Sequence, residues 1–362
     1  MPMNNEAIDY LGANPDFTDA PATTYFPTIR SKLEVLKEIE SKPEVYDKFK
    51  KWDVQYQKMF LDICTGARGL KVIYDGVFKE IFNSEITPER LEEFLSLLLK
   101  QKVRIKSVLP NDGGRLGDES TLIYTDILVE LADGTLCNVE IQKIGYAFPG
   151  ARGACYSSDH LLRQYKKVRG ERGGNFTYRD IKKVYTIVFF EKSVKEFHQF
   201  PNHYIHWFRQ QSDTGLEMDM LQEYFYICLD IFRDNMDNKS VSTDLEAWLA
   251  FLSFDDPQRI SELIAYDKKF KAMYQDMYEL CLNTERVMQV ISKELAILDR
   301  NTVRYMMDEM QTEIDEKAKA LQKMNDELQQ KDSQLQQKYE ALQQKDALIQ
   351  QLQQQLAALQ NE

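Results

Sequence analysis

Residues 124–143, YTDILVELADGTLCNVEIQK, decide the fold, because they read as two alternating strands folded about Asp133-Gly134. With Ala132, Asp133 and Gly134 as a three-residue loop and Gly134 in the left-handed conformation, Leu131 pairs with Thr135. Asp126 then falls opposite Glu140, and Gln142 shares their face because side chains alternate along a strand. The other face collects Ile127, Val129, Leu131, Cys137, Val139 and Ile141, which make a core. A two-residue Asp-Gly turn would slip the register by one and destroy both faces. Two facing carboxylates repel each other unless a cation lies between them. Oxygen ligands from one or two carboxylates, completed by water and phosphate, are what magnesium prefers. The plainer alternative is a pair of acids on the open face of a hairpin, with Lys143 nearby.

Outward from the hairpin, the chain reads as helix, then strands, then helix. Upstream, KVIYDGVFKEIF spaces Val72, Ile73, Val77, Phe78, Ile81 and Phe82 as a helix does, and Thr87 and Pro88 can cap and open a second helix through LEEFLSLLLKQ. VRIKSVL precedes the hairpin as a strand, and KVYTIVFFE follows it as another, with RGACYSSDHLLRQYKKV between them as a helix. LQEYFYICLDIF fits strand and helix equally. The stretch 242–281 is helical with a break at Asp255-Asp256-Pro257. The reading divides the chain into an N-terminal helical extension (1–55), a central domain (56–236), a helical accessory region (237–300) and a Gln-rich tail (301–362). In the tail, Met307, Ile314, Leu321, Leu328, Leu335, Leu342, Ile349 and Leu356 recur every seven residues. Three positions later stand Met310, Lys317, Met324, Lys331, Lys338, Lys345, Leu352 and Leu359. A seven-residue register sustained this long predicts a coiled coil, most simply a homodimer, with a higher homo-oligomer the other option.

Composition bounds the chemistry. The 362 residues are 43% hydrophobic and 11% aromatic, enough for a sizeable core. No signal-like leader and no apolar run of membrane-spanning length are found, so a cytoplasmic protein without a membrane role is expected. Five scattered cysteines suggest neither disulfides nor a zinc site and read as small buried residues. His203 and His206 lack a neighbouring cysteine or carboxylate, which favours aromatic packing or surface hydrogen bonding over metal binding. Without a Gly-Lys dipeptide there is no phosphate-cradling loop. The net charge of -12 opposes nucleic-acid binding on average, yet residues 163–183 carry eight Lys or Arg against Glu171 and Asp180, with Tyr165, Phe176 and Tyr178 interspersed. A solvated helix end is the alternative for that run.

Asp126, the short turn and Glu140-Ile141-Gln142 resemble the signature of the PD-(D/E)XK nucleases, and most closely the recombination-promoting nuclease group, also called PD-(D/E)XK nuclease family transposases. Asp75, Phe78, Lys79 and Phe82 match on one side. Arg152, Tyr156, Gln164, Gly174 and Tyr178 match on the other, and the resemblance runs from about residue 70 to 235, more weakly to 300. It implies an α/β (α+β) restriction-endonuclease-like fold, a mixed sheet flanked by helices, that hydrolyses DNA with Mg²⁺, for which Mn²⁺ can substitute. By that carry-over Asp126 and Glu140 hold the metal and are catalytic together with Gln142. Gln142 stands where the superfamily usually has lysine: it can orient water but brings no charge. Lys143 is the other candidate for that role, should a bulge turn it inward. Asp75, Lys79, Arg152, Tyr156 and Gln164 become accessory site residues, and Arg163, Lys166, Lys167, Arg169 and Arg172 the DNA-tracking surface. A magnesium-dependent endodeoxyribonuclease of mobile-element, recombination or defence kind is expected. The alternative is a catalytically weak or inactive nuclease fold acting as a coiled-coil binding or scaffold module.

Overall fold

The computed structural model describes residues 30–109, 127–143 and 149–360. Residues Met1–Tyr305 and Met306–Glu362 are separate compact units. In the first, five helices precede the sheet: α1 (Lys32–Glu40), α2 (Pro43–Lys51), α3 (Val54–Thr65), α4 (Asp75–Ile81) and α5 (Pro88–Leu99). Local chemistry sets their ends. Ser31 and Glu34 close a capping box on α1, Asp53 caps α3, and Gly66 ends α3 in the left-handed conformation (φ 77°). The Thr87 side chain does not cap α5; its hydroxyl donates instead to the Asn83 carbonyl at 3.3 Å, and Pro88 alone opens the helix.

The strands are β1 (Ile105–Val108), β2 (Ile127–Leu131), β3 (Leu136–Gln142), β4 (Val184–Phe190), β5 (Ile205–Arg209) and β6 (Gln222–Cys228). They form one sheet in the order β1-β2-β3-β4-β6-β5. β1, β2 and β3 are antiparallel; β3, β4 and β6 are parallel; β5 closes the other edge antiparallel to β6. The stretch 222–233 resolves into both alternatives, strand β6 followed at once by helix α7 (Leu229–Asn235). Between β3 and β4 runs α6 (Pro149–Arg172). Three more helices follow, α8 (Asp244–Ser253), α9 (Pro257–Tyr266) and α10 (Lys269–Cys281), with Asp256 capping α9 and Pro257 at its first turn. The helix α11 (Thr284–Gln360) completes the chain.

One face of the sheet is dry. Cys137, Val139, Ile187, Phe189 and Ile227 join Phe78, Phe94, Trp248, Phe251 and Phe270 in a single apolar cluster, with Phe189 lying 5.5 Å from Phe94 and 6.3 Å from Phe78 between ring centres. Val35, Leu36, Ile39 and Phe49 of the first two helices, and Val287, Met288 and Ile291 of α11, belong to the same cluster. Four cysteines are buried as expected, whereas Cys155 is exposed on α6. In the second unit the seven-residue column is exposed along one helix, from Met307 (64%) through Leu335 (71%) to Ile349 (51%). No helix of the described residues is long and apolar enough to cross a membrane.

Candidate active site

The hairpin has the register that its turn chemistry demands. Ile127 pairs with Val139, Val129 with Cys137 and Glu130 with Leu136. Leu131 N–H donates to the Thr135 carbonyl at 2.8 Å, and Gly134 sits at φ 89°. Asp133 stiffens the turn by accepting from both the backbone N–H (2.9 Å) and the hydroxyl (3.0 Å) of Thr135. Asp126 lies outside the described residues. Glu140 and Gln142 occupy the face turned away from the large apolar cluster, and both are buried, at 3% and 5% exposure.

That face carries polar side chains beside a second apolar cluster, which includes Val188 and Phe190 in register with Glu140 and Gln142. Asn138 is fully buried two residues before Glu140 and donates its Nδ2 to Glu140 Oε1 at 3.1 Å. Thr186 of β4, in register with Asn138, is fully buried as well. Helix α6 covers this layer and lies close because of Gly153, where an added Cβ would come within 2.4 Å of the Tyr226 hydroxyl. That hydroxyl donates to the Pro149 carbonyl (3.0 Å), and Gln222 Nε2 donates to Ser157 Oγ (3.0 Å). Farther along α6, Gln164 ties the helix to the hairpin turn: its Nε2 donates to the Gly134 carbonyl (3.2 Å) and its Oε1 accepts from Lys182 N–H (2.7 Å).

Several buried atoms in this layer have no hydrogen-bond partner among the described residues: Asn138 Oδ1, Gln142 Oε1, Thr186 Oγ1 and both ring nitrogens of His160. Burial holds the His160 imidazole neutral, pushing its pKa down to about 4 despite Asp159 beside it. Buried polar atoms are otherwise satisfied almost everywhere in folded proteins, so a row of them marks a place that takes water, an ion or substrate. Its oxygens are hard donors of the kind that Mg²⁺ and Mn²⁺ take. Among the described residues no three His, Cys, Asp or Glu side chains gather as a metal cluster.

Gln142 and Lys143 go to opposite sides. Lys143 Nζ donates to the Ile73 carbonyl (2.5 Å), lies 3.3 Å from Glu294 and 3.6 Å from Glu191, and sits 4.7 Å from the Tyr74 ring centre. Lys71 reaches Glu191 from the other side at 2.6 Å. Burial would raise the Glu191 carboxyl, but Lys143 and Lys71 outweigh it and hold the pKa below its usual value. For Glu294 burial wins, and the pKa is raised despite Lys143. The accessory pair Asp75 and Lys79 belongs to this second side. The two residues are ion-paired, and Asp75 is also paired with Lys293 of α11. The two lysines overcome burial and hold the Asp75 carboxyl near pKa 2, while Asp75 N–H donates to Glu294 at 2.7 Å. Arg152 and Tyr156 stay with α6, the guanidinium 5.1 Å from the ring centre.

Beside the polar layer, a groove of about 530 Å³ runs between α6 and the β2 side of the hairpin, with His160 and Leu128 lining it along with Arg163, Lys167 and Arg172. Acids from α6 itself and from neighbouring elements temper its charge. Arg163 pairs with Asp159 (2.7 Å), Lys167 with Glu130 (3.0 Å) and Arg172 with Asp180 (3.5 Å). Glu130 also holds Lys106 at 2.6 Å, and the two lysines keep its carboxyl below its usual pKa against the effect of burial. Arg169 donates to the Tyr165 hydroxyl, and Lys166 is exposed. His206 packs against Phe197 at 4.8 Å between ring centres, the packing role expected of it.

The strand alternation that singled out Glu140 and Gln142 also points to Asn138, but Thr186 and His160 become neighbours of the layer only through the parallel β3–β4 register and the seating of α6, neither of which is local in sequence. No curated protein and no solved structure matches the chain. A family model described as PD-(D/E)XK nuclease family transposase matches residues 72–306, well over half of the chain and reaching through the helices after the sheet. The mixed six-stranded sheet with helices on both sides is the restriction-endonuclease-like α/β fold that this family implies. On that match, the chain belongs to the PD-(D/E)XK nuclease family transposases.

Proposed function

We propose that this protein is a divalent-metal-dependent endodeoxyribonuclease whose site is the polar layer under α6, with Mg²⁺ as the working ion and Mn²⁺ able to substitute. The observation that carries this reading is the burial of Glu140 and Gln142 beside orphaned oxygens of Asn138 and Thr186, next to a groove edged with Arg and Lys. Glu140, with Asp126 expected across the hairpin, would hold the cation. A cation bound there would supply Lewis-acid polarisation and acidify a water. The chain's own groups do the rest. Asn138 Nδ2 fixes one oxygen of the Glu140 carboxylate and so orients the group. Gln142 Oε1 accepts a hydrogen bond from the attacking water and orients it. Arg163, Lys166, Lys167, Arg169 and Arg172 follow the phosphate backbone, exchanging their present acid partners for phosphates where they are paired. Lys143, held by Glu191 and Glu294, does not take the place of the superfamily lysine in this reading.

The tail adds association. Its exposed apolar column, from Met307 to Ile349, is of the kind buried in a parallel homodimer, and two nuclease bodies joined in this way could cut both strands of a duplex. The competing reading, a catalytically silent scaffold, draws on the Gln in place of Lys and on the ion-paired state of the groove. Incubating supercoiled plasmid with Mg²⁺ or Mn²⁺ separates the two: wild type should nick or linearise it, and Asp126→Ala and Glu140→Ala should each abolish cutting while retaining the wild-type circular dichroism. Equal cutting by the Glu140→Ala protein would end the catalytic assignment. Removing residues 311–362 should lower the mass in light scattering and shift products from linear to nicked DNA.

A further inference from the structure

At the end of α6 farthest from Pro149, three aromatic rings meet where the chain turns toward β4. Tyr165 is on the helix; Phe176 and Tyr178 are on the turns that follow it. The ring centres of Tyr165 and Phe176 are 5.5 Å apart, those of Phe176 and Tyr178 5.4 Å, both edge-on, while Tyr165 and Tyr178 are nearly parallel at 6.3 Å and 11°. The segment is held by specific contacts. Gly173, at φ 53°, begins the turn after α6. Thr177 and Asp180 form a capping box, with Thr177 N–H donating to Asp180 at 2.8 Å, and Arg172 reaches the same carboxylate at 3.5 Å. On this supported base Tyr178 is 77% exposed, a large flat ring left in water. Cations accompany the cluster. Arg169 lies 5.5 Å from the Tyr165 ring centre, and Lys166, Arg172 and Arg179 are exposed nearby in sequence. Arg172 and Lys182 also line the groove, so the aromatic cluster adjoins its end.

A single exposed aromatic needs no explanation, but a ring propped by two others among cations, in a chain of net charge -12, calls for an anionic ligand with flat apolar faces. Phosphate alone would need no ring. A paired duplex keeps its base faces inside its own stack, whereas an unpaired strand offers them. We infer that Tyr178, backed by Tyr165 and Phe176, is a stacking platform for an unpaired nucleobase, so that the groove receives DNA with a single-stranded segment beyond α6. The inference rests on the DNA reading of the groove and sharpens its substrate to a strand that is unpaired on one side of the cut.

Fluorescence anisotropy of the full-length chain, in EDTA to prevent hydrolysis, tests this with labelled oligothymidylate and a duplex of equal length. Stacking of one base is worth about 1–3 kcal/mol, so Tyr178→Ala and Tyr178→Leu should weaken single-strand binding about 5- to 150-fold. Duplex binding should change less than about twofold, and Tyr178→Phe, which keeps the ring, should bind the single strand as wild type does. The platform is refuted if Tyr178→Ala keeps wild-type single-strand affinity, if single-strand and duplex binding fall together, or if Tyr178→Phe fails as Ala does. Tighter binding of oligouridylate than of oligothymidylate would refute the assignment to DNA. A wild-type chain that binds neither single strand nor duplex would instead remove the DNA reading beneath it.

Discussion

Gln142 and Lys143 are neighbours in sequence, yet they serve opposite sides of the sheet. Lys143 enters a closed set of partners, Glu191, Glu294 and the Ile73 carbonyl, where its charge is answered. Gln142 enters a layer where its own Oε1 and the oxygens of Asn138 and Thr186 are buried without partners among the described residues. Leaving a buried polar atom unsatisfied costs about 1–3 kcal/mol, so the second arrangement subtracts from stability whereas the first is balanced. Satisfied charges hold the fold, whereas unpartnered buried polar groups mark where a ligand is to be sought.

Breaking the satisfied side should have the largest effect. Lys143→Ala leaves the buried Glu294 without its ion-pair partner and Glu191 with Lys71 alone, and should destabilise the body by about 3–5 kcal/mol in urea denaturation. The loss should depend on pH. Without Lys143 both carboxyls shift upward, so the penalty is full where both are charged and shrinks as falling pH protonates them. A pH-independent loss would mean that the ion pairs with Glu191 and Glu294 are not what Lys143 contributes.

Next in size is the unsatisfied side. Gln142→Ala should reduce cleavage about 10- to 1000-fold with little change in stability, and Gln142→Lys should retain or raise it by restoring charge. If Lys143→Ala, assayed under conditions where it remains folded, cut less than Gln142→Ala, the two roles would be exchanged.

His160 gives a smaller, acid-dependent effect. Its folded pKa of about 4 lies below its ordinary 6.5, so the unfolded chain binds the proton more readily. The associated stability is complete above pH 6.5 and declines as pH falls toward 4, by at most about 3 kcal/mol. His160→Leu should flatten that part of the stability–pH curve, and a curve with unchanged slope would show that burial of the imidazole is not its source. Smallest of all, Thr186→Val removes an orphaned hydroxyl without changing shape, and should alter the melting temperature little or raise it. A loss comparable to that of Lys143→Ala would show the hydroxyl to be satisfied after all.

How much of this was legible in the sequence depends on the range of the interaction. The Ala132-Asp133-Gly134 turn fixes the register through three residues, so the two faces of the hairpin could be assigned from the sequence, and the observed ladder has them. The break at Asp256-Pro257 and the helices around it are equally local. The charge of residues 163–183 reads as strongly basic in sequence, but Glu130 and Asp159 reach Lys167 and Arg163 in the fold, one from another strand and one from a turn earlier on α6. Lys143 could be placed on the dry side by alternation, yet its partners Ile73, Glu191 and Glu294 come from three distant segments. Thr87 looked like a cap because of its type and position, but the tight turn at Asn83 takes its hydroxyl.

In the proposed site, the layer under α6 binds the working cation through Glu140. Titrating Mn²⁺ into the full-length protein by calorimetry, beside the Glu140→Gln variant, tests it without requiring the right DNA. Glutamine keeps the shape and the Asn138 contact region while removing the charge. The expected result is a saturable site in the wild type that weakens at least about tenfold in the variant, with the thermal unfolding of the metal-free proteins alike. Identical Mn²⁺ binding by the two proteins would contradict the account.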